Sequence, residues 1–369
     1  MGMENTTRRK WKLGIGLAAS VVLAGCGGGG GGGGSSSGSG GSSGGSGLSA
    51  LYPSNAGNVT IDSSNEQQVA KATGNGARSL GDSGASLTQS QIVGAAEIDG
   101  GAATASPSIG ALSNIAFLQA LKAIEQPTSV TGVVSAKSCP GGGSISVTGT
   151  GAKDGTLDAG DSFQATFDSC SVTTSGFTVF FDGAVNFSVS SRHGDPTAFS
   201  RGWDYQVDVT YNDWVVQFSG SGPSVDILVD GELKLSAVYS GTTDELTYTI
   251  KGGPWAFKDR SSDKGWGYGS LDVTYSLANA SNGSGRHYTL TVSGMSIASS
   301  GLNGKVTVQT TTDFEGTEGN PPTVGIVQIN DGSGHQVVID ASGGTKGCTP
   351  GTAFELTRVN SSKTCVSWQ

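Results

Sequence analysis

Charge is scarce in this sequence: Asp, Glu, Lys and Arg make up only 14% of its 369 residues. Histidine occurs three times, and beyond residue 47 there is no C-x-x-C pair, no G-x-S-x-G elbow and no P-loop. Those gaps exclude a thiol-based zinc site, the usual serine-hydrolase turn and a glycine-rich cradle for nucleotide phosphates. Nothing in the sequence calls for a cofactor. The apolar run Leu13 to Leu23 is about eleven residues, roughly half of what a bilayer-spanning helix needs. Glycine, in contrast, is abundant, with 62 residues. Low charge and high glycine fit a turn-rich, all-β extracellular protein better than a helical cytosolic enzyme, and the length permits a sizeable core.

The first 25 residues read as an export signal: the cationic stretch Arg8-Arg-Lys-Trp-Lys12, the short apolar run, then small residues up to a cysteine. Leu23-Ala24-Gly25-Cys26 resembles the lipobox of bacterial lipoprotein precursors at all four positions. The resemblance implies cleavage before Cys26, diacylglycerol on its thiol, and acylation of the new amino terminus. Gly27 stands where an Asp would retain such a protein at the inner membrane, so outer-membrane sorting is the implied destination. Thr7-Arg8-Arg9-Lys10-Trp11 also resembles the core of a twin-arginine export signal, which leaves the export route open.

Residues 27 to 47 are Gly and Ser throughout. Such a tether behaves as a flexible coil with a root-mean-square span of roughly 25 Å and a stretched reach of about 70 Å. Loss of the signal removes four basic residues and Glu4, leaving 17 Lys plus Arg against 29 Asp plus Glu. That acidity argues against nucleic acid as a partner and against adsorption to anionic headgroups. The expected membrane contact is the lipidated amino terminus alone, with an envelope protein, glycan or lipid as a partner of unknown identity.

Residues 48 to 130 form a mixed segment. A short helix is expected after Ser63 or Ser64 as N-cap, with a nearby Glu or Gln closing a capping box. A longer one is expected over 108 to 125, where Ile109, Leu112, Ile115, Phe117, Leu118, Leu121 and Ile124 recur at spacings of three and four before Pro127. Its apolar stripe should pack on a sheet.

From about 131 to 369 the period changes to two. Phe177 to Val189, Trp203 to Tyr211 and Val225 to Tyr239 place apolar residues or Gly at odd positions. The phase flips after Asn212-Asp213, which suits a tight hairpin turn. The related stretches Phe181-Asp-Gly-Ala-Val, Val229-Asp-Gly-Glu-Leu and Leu302-Asn-Gly-Lys-Val recur at unequal spacing, which excludes a solenoid. Unbroken phase across Asp182-Gly183 and Asp230-Gly231 favours glycine bulges in long strands, with two-residue turns as the alternative. The expectation is all-β: an antiparallel meander of about 11 to 13 strands, forming a curved sheet or partly open barrel, with one or two short N-terminal helices.

Four cysteines remain after Cys26: Cys139, Cys170, Cys348 and Cys365. An oxidising compartment makes disulfides the default. A two-residue turn at Asp154-Gly155 would set Cys139 opposite Cys170, whereas the hydrophobic pattern sets Val147 beside Phe163 and Ile145 beside Ala165. One bulged residue, at glycines 141 to 143 or 160, reconciles the two. The pairs are therefore Cys139 with Cys170 and, by elimination, Cys348 with Cys365. The stretch from Cys139-Pro-Gly-Gly-Gly through Gly160-Asp-Ser to Cys170 resembles a segment of uncharacterised proteobacterial lipoproteins, a likeness of about 30 residues that carries no activity.

Candidate chemistry is sparse. Asp154, Asp158 and Asp161 surround a glycine-rich bend but miss the spacing of a calcium loop and read as turn residues. His193, His287 and His335 sit among turn-forming neighbours. Carboxylate pairs acting on glycans can come from distant positions, so sequence alone leaves them open. Trp255 and Trp266 flank an expected aromatic loop and are the candidate ligand-stacking rings. The leading expectation is a non-enzymatic envelope lipoprotein with a structural or binding role. The alternatives are a carrier holding an acyl chain in a curved sheet, and a cell-envelope glycan-active enzyme.

Overall fold

The computed structural model describes residues 48–73, 109–125, 133–150, 156–173, 177–196, 201–220, 225–260, 264–280, 286–299, 302, 304–317 and 320–368. All belong to one compact unit, Gly44–Gln369. Cys26 and the expected signal and tether, up to residue 47, lie outside the described residues.

Among the described residues, fifteen strands form one antiparallel sheet. They are β1 (Val133–Ser138), β2 (Gly142–Gly149), β3 (Ser162–Thr173), β4 (Phe177–His193), β5 (Trp203–Gly220), β6 (Val225–Ser240), β7 (Glu245–Gly252) and β8 (Trp255–Asp259). The remainder are β9 (Lys264–Ala278), β10 (His287–Ser299), β11 (Gly304–Thr317), β12 (Val324–Asn330), β13 (Gln336–Asp340), β14 (Ala353–Thr357) and β15 (Lys363–Ser367). Each strand pairs with its neighbours in sequence. The one departure is that β7 and β8 lie end to end, both between β6 and β9. β1 and β15 end the path, so the curved sheet is open rather than closed into a barrel. The count exceeds the expected 11 to 13 because one run is split into β7 and β8 and the C-terminal strands are short.

A line of bulges crosses the sheet. Register shifts by one residue between Phe167 and Cys170, between Asp182 and Ala184, and between Tyr211 and Trp214. Gly183 and Gly231 take positive φ of 99° and 111°, and Ser169, Asp213 and Ser270 are left-handed too. Further along, the line passes the β7–β8 break at Gly252-Gly253 and reaches Gly294 in β10. A bulge bends its strand and increases local twist, so a row of them bends the whole sheet. Asp-Gly thus marks bulges within β4 and β6, as the unbroken phase requires. Asn212-Asp213 is a correction: β5 runs straight through it, and the phase flip reflects one extra residue in the strand, not a hairpin turn. In the third related stretch Gly304 opens β11 rather than interrupting a strand, and Asn303 lies outside the described residues.

The alternating apolar residues meet on the concave face in a single core. The helix α2 (Ile109–Glu125) packs there, and the Phe117 ring sits 5.7 Å from Phe187 and 4.9 Å from Tyr205. Leu118, Leu121 and Ile124 are also buried, while Ile109, Leu112 and Ile115 have side chains outside the described set. Arg192 at the end of β4 fixes the helix C-terminus. It donates to Glu125 Oε1 at 2.6 Å and to the Leu157 carbonyl at 3.0 Å.

Residues 48 to 73 are a strap over the sheet. Leu48–Leu51 form a 3-10 turn against β8 and β9. In β9, Gly265, Gly267 and Gly269 alternate with Trp266 and Tyr268. Alternation sends the aromatics to the core and the glycines to the opposite face. Leu51 needs that space: a Cβ on Gly267 would lie 1.8 Å from its carbonyl oxygen. Farther on, the strap bonds β11 through Lys305 N–H to the Gly57 carbonyl (2.8 Å) and Val59 N–H to the Lys305 carbonyl (3.0 Å). The short helix α1 occupies 66–73. Its expected caps are corrected: the Asn65 carbonyl accepts the first helical bond from Val69, Asp62 receives the Ser64 N–H, and Glu66 turns away to Arg358.

Candidate functional site

The cysteines pair as expected, Cys139 with Cys170 and Cys348 with Cys365, at Cα separations of 5.4 and 5.5 Å. The strand register behind the first pair differs from the reading. Val147 faces Ala165 and Ile145 faces Phe167, two residues further along β3 than expected. Parity is preserved, so the same residues still point inward. The ladder stops at Gly149 opposite Phe163, and Leu157, before β3, is buried. Asp154-Gly155 lies outside the described residues. A register shift does fall between Gly142 and Ser144, but its extra residue is on β3, between Asp168 and Ser171, and not among the glycines expected to carry it.

Trp255 and Trp266 stand in strands, not in a loop. Trp255 opens β8 and pairs with Tyr268, and Phe257 pairs with Trp266 across the β8–β9 hairpin. Trp255 is 0% exposed, so its ring is core and is not offered to a ligand from solvent. Trp266 is partly buried against the core, 5.2 Å from Phe257. The periodicity of Trp-Gly-Tyr-Gly carried this information, but it ran beside a charged stretch that resembled a loop.

Polar constellations elsewhere are structural. The Asp161 carboxylate accepts the Asp158 N–H at 2.8 Å, closing a turn. His193 Nδ1 lies 2.9 Å from Asp204 on the surface. In Asp331-Gly-Ser-Gly-His335, Asp331 and Ser333 both approach the same His335 nitrogen, Nδ1, at 2.8 and 3.4 Å. A relay needs the two partners on opposite nitrogens, so this is a buttressed turn rather than a catalytic unit. Asp331 is buried and accepts from the N–H groups of Ile61 (3.0 Å), Ser333 (2.7 Å) and His335 (3.2 Å). Burial disfavours its charge, but these bonds outweigh burial and hold the carboxyl well below the ordinary range. Glu355 is similar: burial opposes its charge, and Lys363, the Lys346 N–H and Thr345 overcome it. Among the described residues, no group of three or more His, Cys, Asp or Glu could hold a metal ion.

A depression of ligand size lies on the outer face of β2 to β5. It is open, with a volume of about 410 Å³. Register builds it: Thr148, Gln164, Asn186 and Thr210 face one another in one row, and Ser162, Ser188 and Asp208 in the next. Phe163 and Phe187, stacked at 5.1 Å on the core side, contribute to its floor. Gln164 Nε2 donates to Asn186 Oδ1 at 3.1 Å, and Ser162 to Ser188 at 3.2 Å. Asp208 is offset by the Lys234 ammonium at 3.3 Å. The sequence reading missed this surface. Its signal was the run of neutral hydroxyl and amide residues at outward positions in four successive strands.

The chain matches no known protein family, no curated protein and no solved structure.

Proposed function

We propose that the chain is a lipoprotein held to the bacterial outer membrane through Cys26, with a non-enzymatic binding or structural role in the envelope. The observation that carries the reading is Leu23-Ala24-Gly25-Cys26 at the end of a short apolar run, followed by a Gly/Ser tether. One acyl chain binds a membrane only marginally, and two or three hold durably, at about 0.8 kcal/mol per buried methylene. The fold agrees with that division of labour: the strap begins at Leu48, fully buried, one residue after the tether ends. Disulfides suit an oxidising compartment. The concave face holds the Phe117 ring of α2 among Phe187 and Tyr205, which favours a structural or surface-binding role over an acyl carrier. Fractionation tests the anchor. Cys26→Ser should move the protein to the soluble fraction or leave its signal uncleaved; unchanged membrane retention with normal cleavage would refute the proposal.

A further inference from the structure

We propose that the depression on the outer face of β2 to β5 binds a neutral oligosaccharide. This deepens the binding role proposed above and rests on it for its setting in the envelope. Three observations carry it. First, the chemistry of the lining is neutral in a chain of net charge -9. Its polar groups are hydroxyls and side-chain amides, and its one carboxylate, Asp208, is matched by Lys234. Such a lining offers nothing to a phosphate or a cation, and it offers both donors and acceptors to a polyhydroxylated ligand.

Second, the amide pair is arranged in advance. The bond from Gln164 Nε2 to Asn186 Oδ1 orders both side chains, and among the described residues Gln164 Oε1 and Asn186 Nδ2 make no other hydrogen bond. An acceptor and a donor held side by side complement a vicinal diol or an acetamido group, and ordering them beforehand lowers the entropic cost of binding. Third, the volume of about 410 Å³ falls in the range of small-ligand sites, and the open form admits a chain that continues beyond it. With its one carboxylate matched by Lys234 and no enclosure, the expected affinity is near millimolar, about -4 kcal/mol.

The test uses the purified chain in a non-glycoside detergent, titrated with chitotetraose and separately with maltotetraose, and followed by ligand-observed saturation-transfer NMR. Binding of either sugar, weakened about tenfold by Asn186→Ala and abolished by Thr210→Tyr, which fills the depression, supports the site. The sugar that binds tells an acetamido glycan from a plain hexose polymer. Both positions are on the outer face, and a thermal melt confirms that the variants fold. No transfer to either sugar at about 10 mM, or transfer that neither substitution changes, would overturn the proposal. The titration involves no membrane, so its failure leaves the anchoring proposal to stand or fall on fractionation.

Discussion

Asp331 shows how one side chain can bind two distant parts of this chain. Its carboxylate holds the Ile61 N–H of the strap and the turn between β12 and β13. The folded-state pKa lies below that of the unfolded chain. The resulting stability is therefore complete above the unfolded value of about 3.9 and is lost as pH falls through the folded value. Asp331→Asn should cost about 1 to 3 kcal/mol at neutral pH, and the gap from the parent should narrow below about pH 4. Urea unfolding at both pH values checks this; a gap independent of pH would exclude the carboxylate's charge as the cause. Legibility at this scale was uneven. Cysteine pairing followed from compartment, parity and elimination. Asp331 drew no notice in the sequence, because its strap partner lies 270 positions away and no local pattern reports such a contact.

At the scale of elements, period and phase carried most of the information. Strand identity, the antiparallel order and the glycine bulges of β4 and β6 were readable because side chains alternate with period two. Asn212-Asp213 misled because an extra residue flips the phase whether the strand turns back or bulges, and the choice depends on neighbours β4 and β6. The strap was unreadable for a similar reason: the glycines that receive it are in β9, far along the chain. They now allow a sharp comparison. A Cβ at Gly267 would meet the Leu51 carbonyl oxygen at 1.8 Å, whereas one at Gly265 would meet the end of the Leu51 side chain at 2.3 Å. Backbone cannot swing aside as a methyl can. Gly267→Ala should cost about 1 to 3 kcal/mol and speed hydrogen exchange at Val59 and Lys305, with Gly265→Ala milder on both counts. Equal effects, or none on exchange, would contradict the docked strap.

For the whole molecule, address and activity are written differently. The proposed export signal, lipobox and tether are contiguous in residues 1 to 47, as a linear signal and a coil would be. The outer-face depression draws on residues from Thr148 to Thr210, assembled only when four strands come into register. The proposed address can therefore be read linearly, whereas the surface the chain offers cannot. Between the two lies an open sheet, folded along its line of bulges around α2 and stapled near β1 and β15. The most direct measurement of the central claim is intact mass spectrometry of the protein extracted from membranes, with fragmentation of its first residues. The account predicts a chain starting at Cys26 whose thiol carries diacylglycerol and whose amino group is acylated. A chain that retains residues 1 to 25, or a Cys26 without lipid, would contradict it.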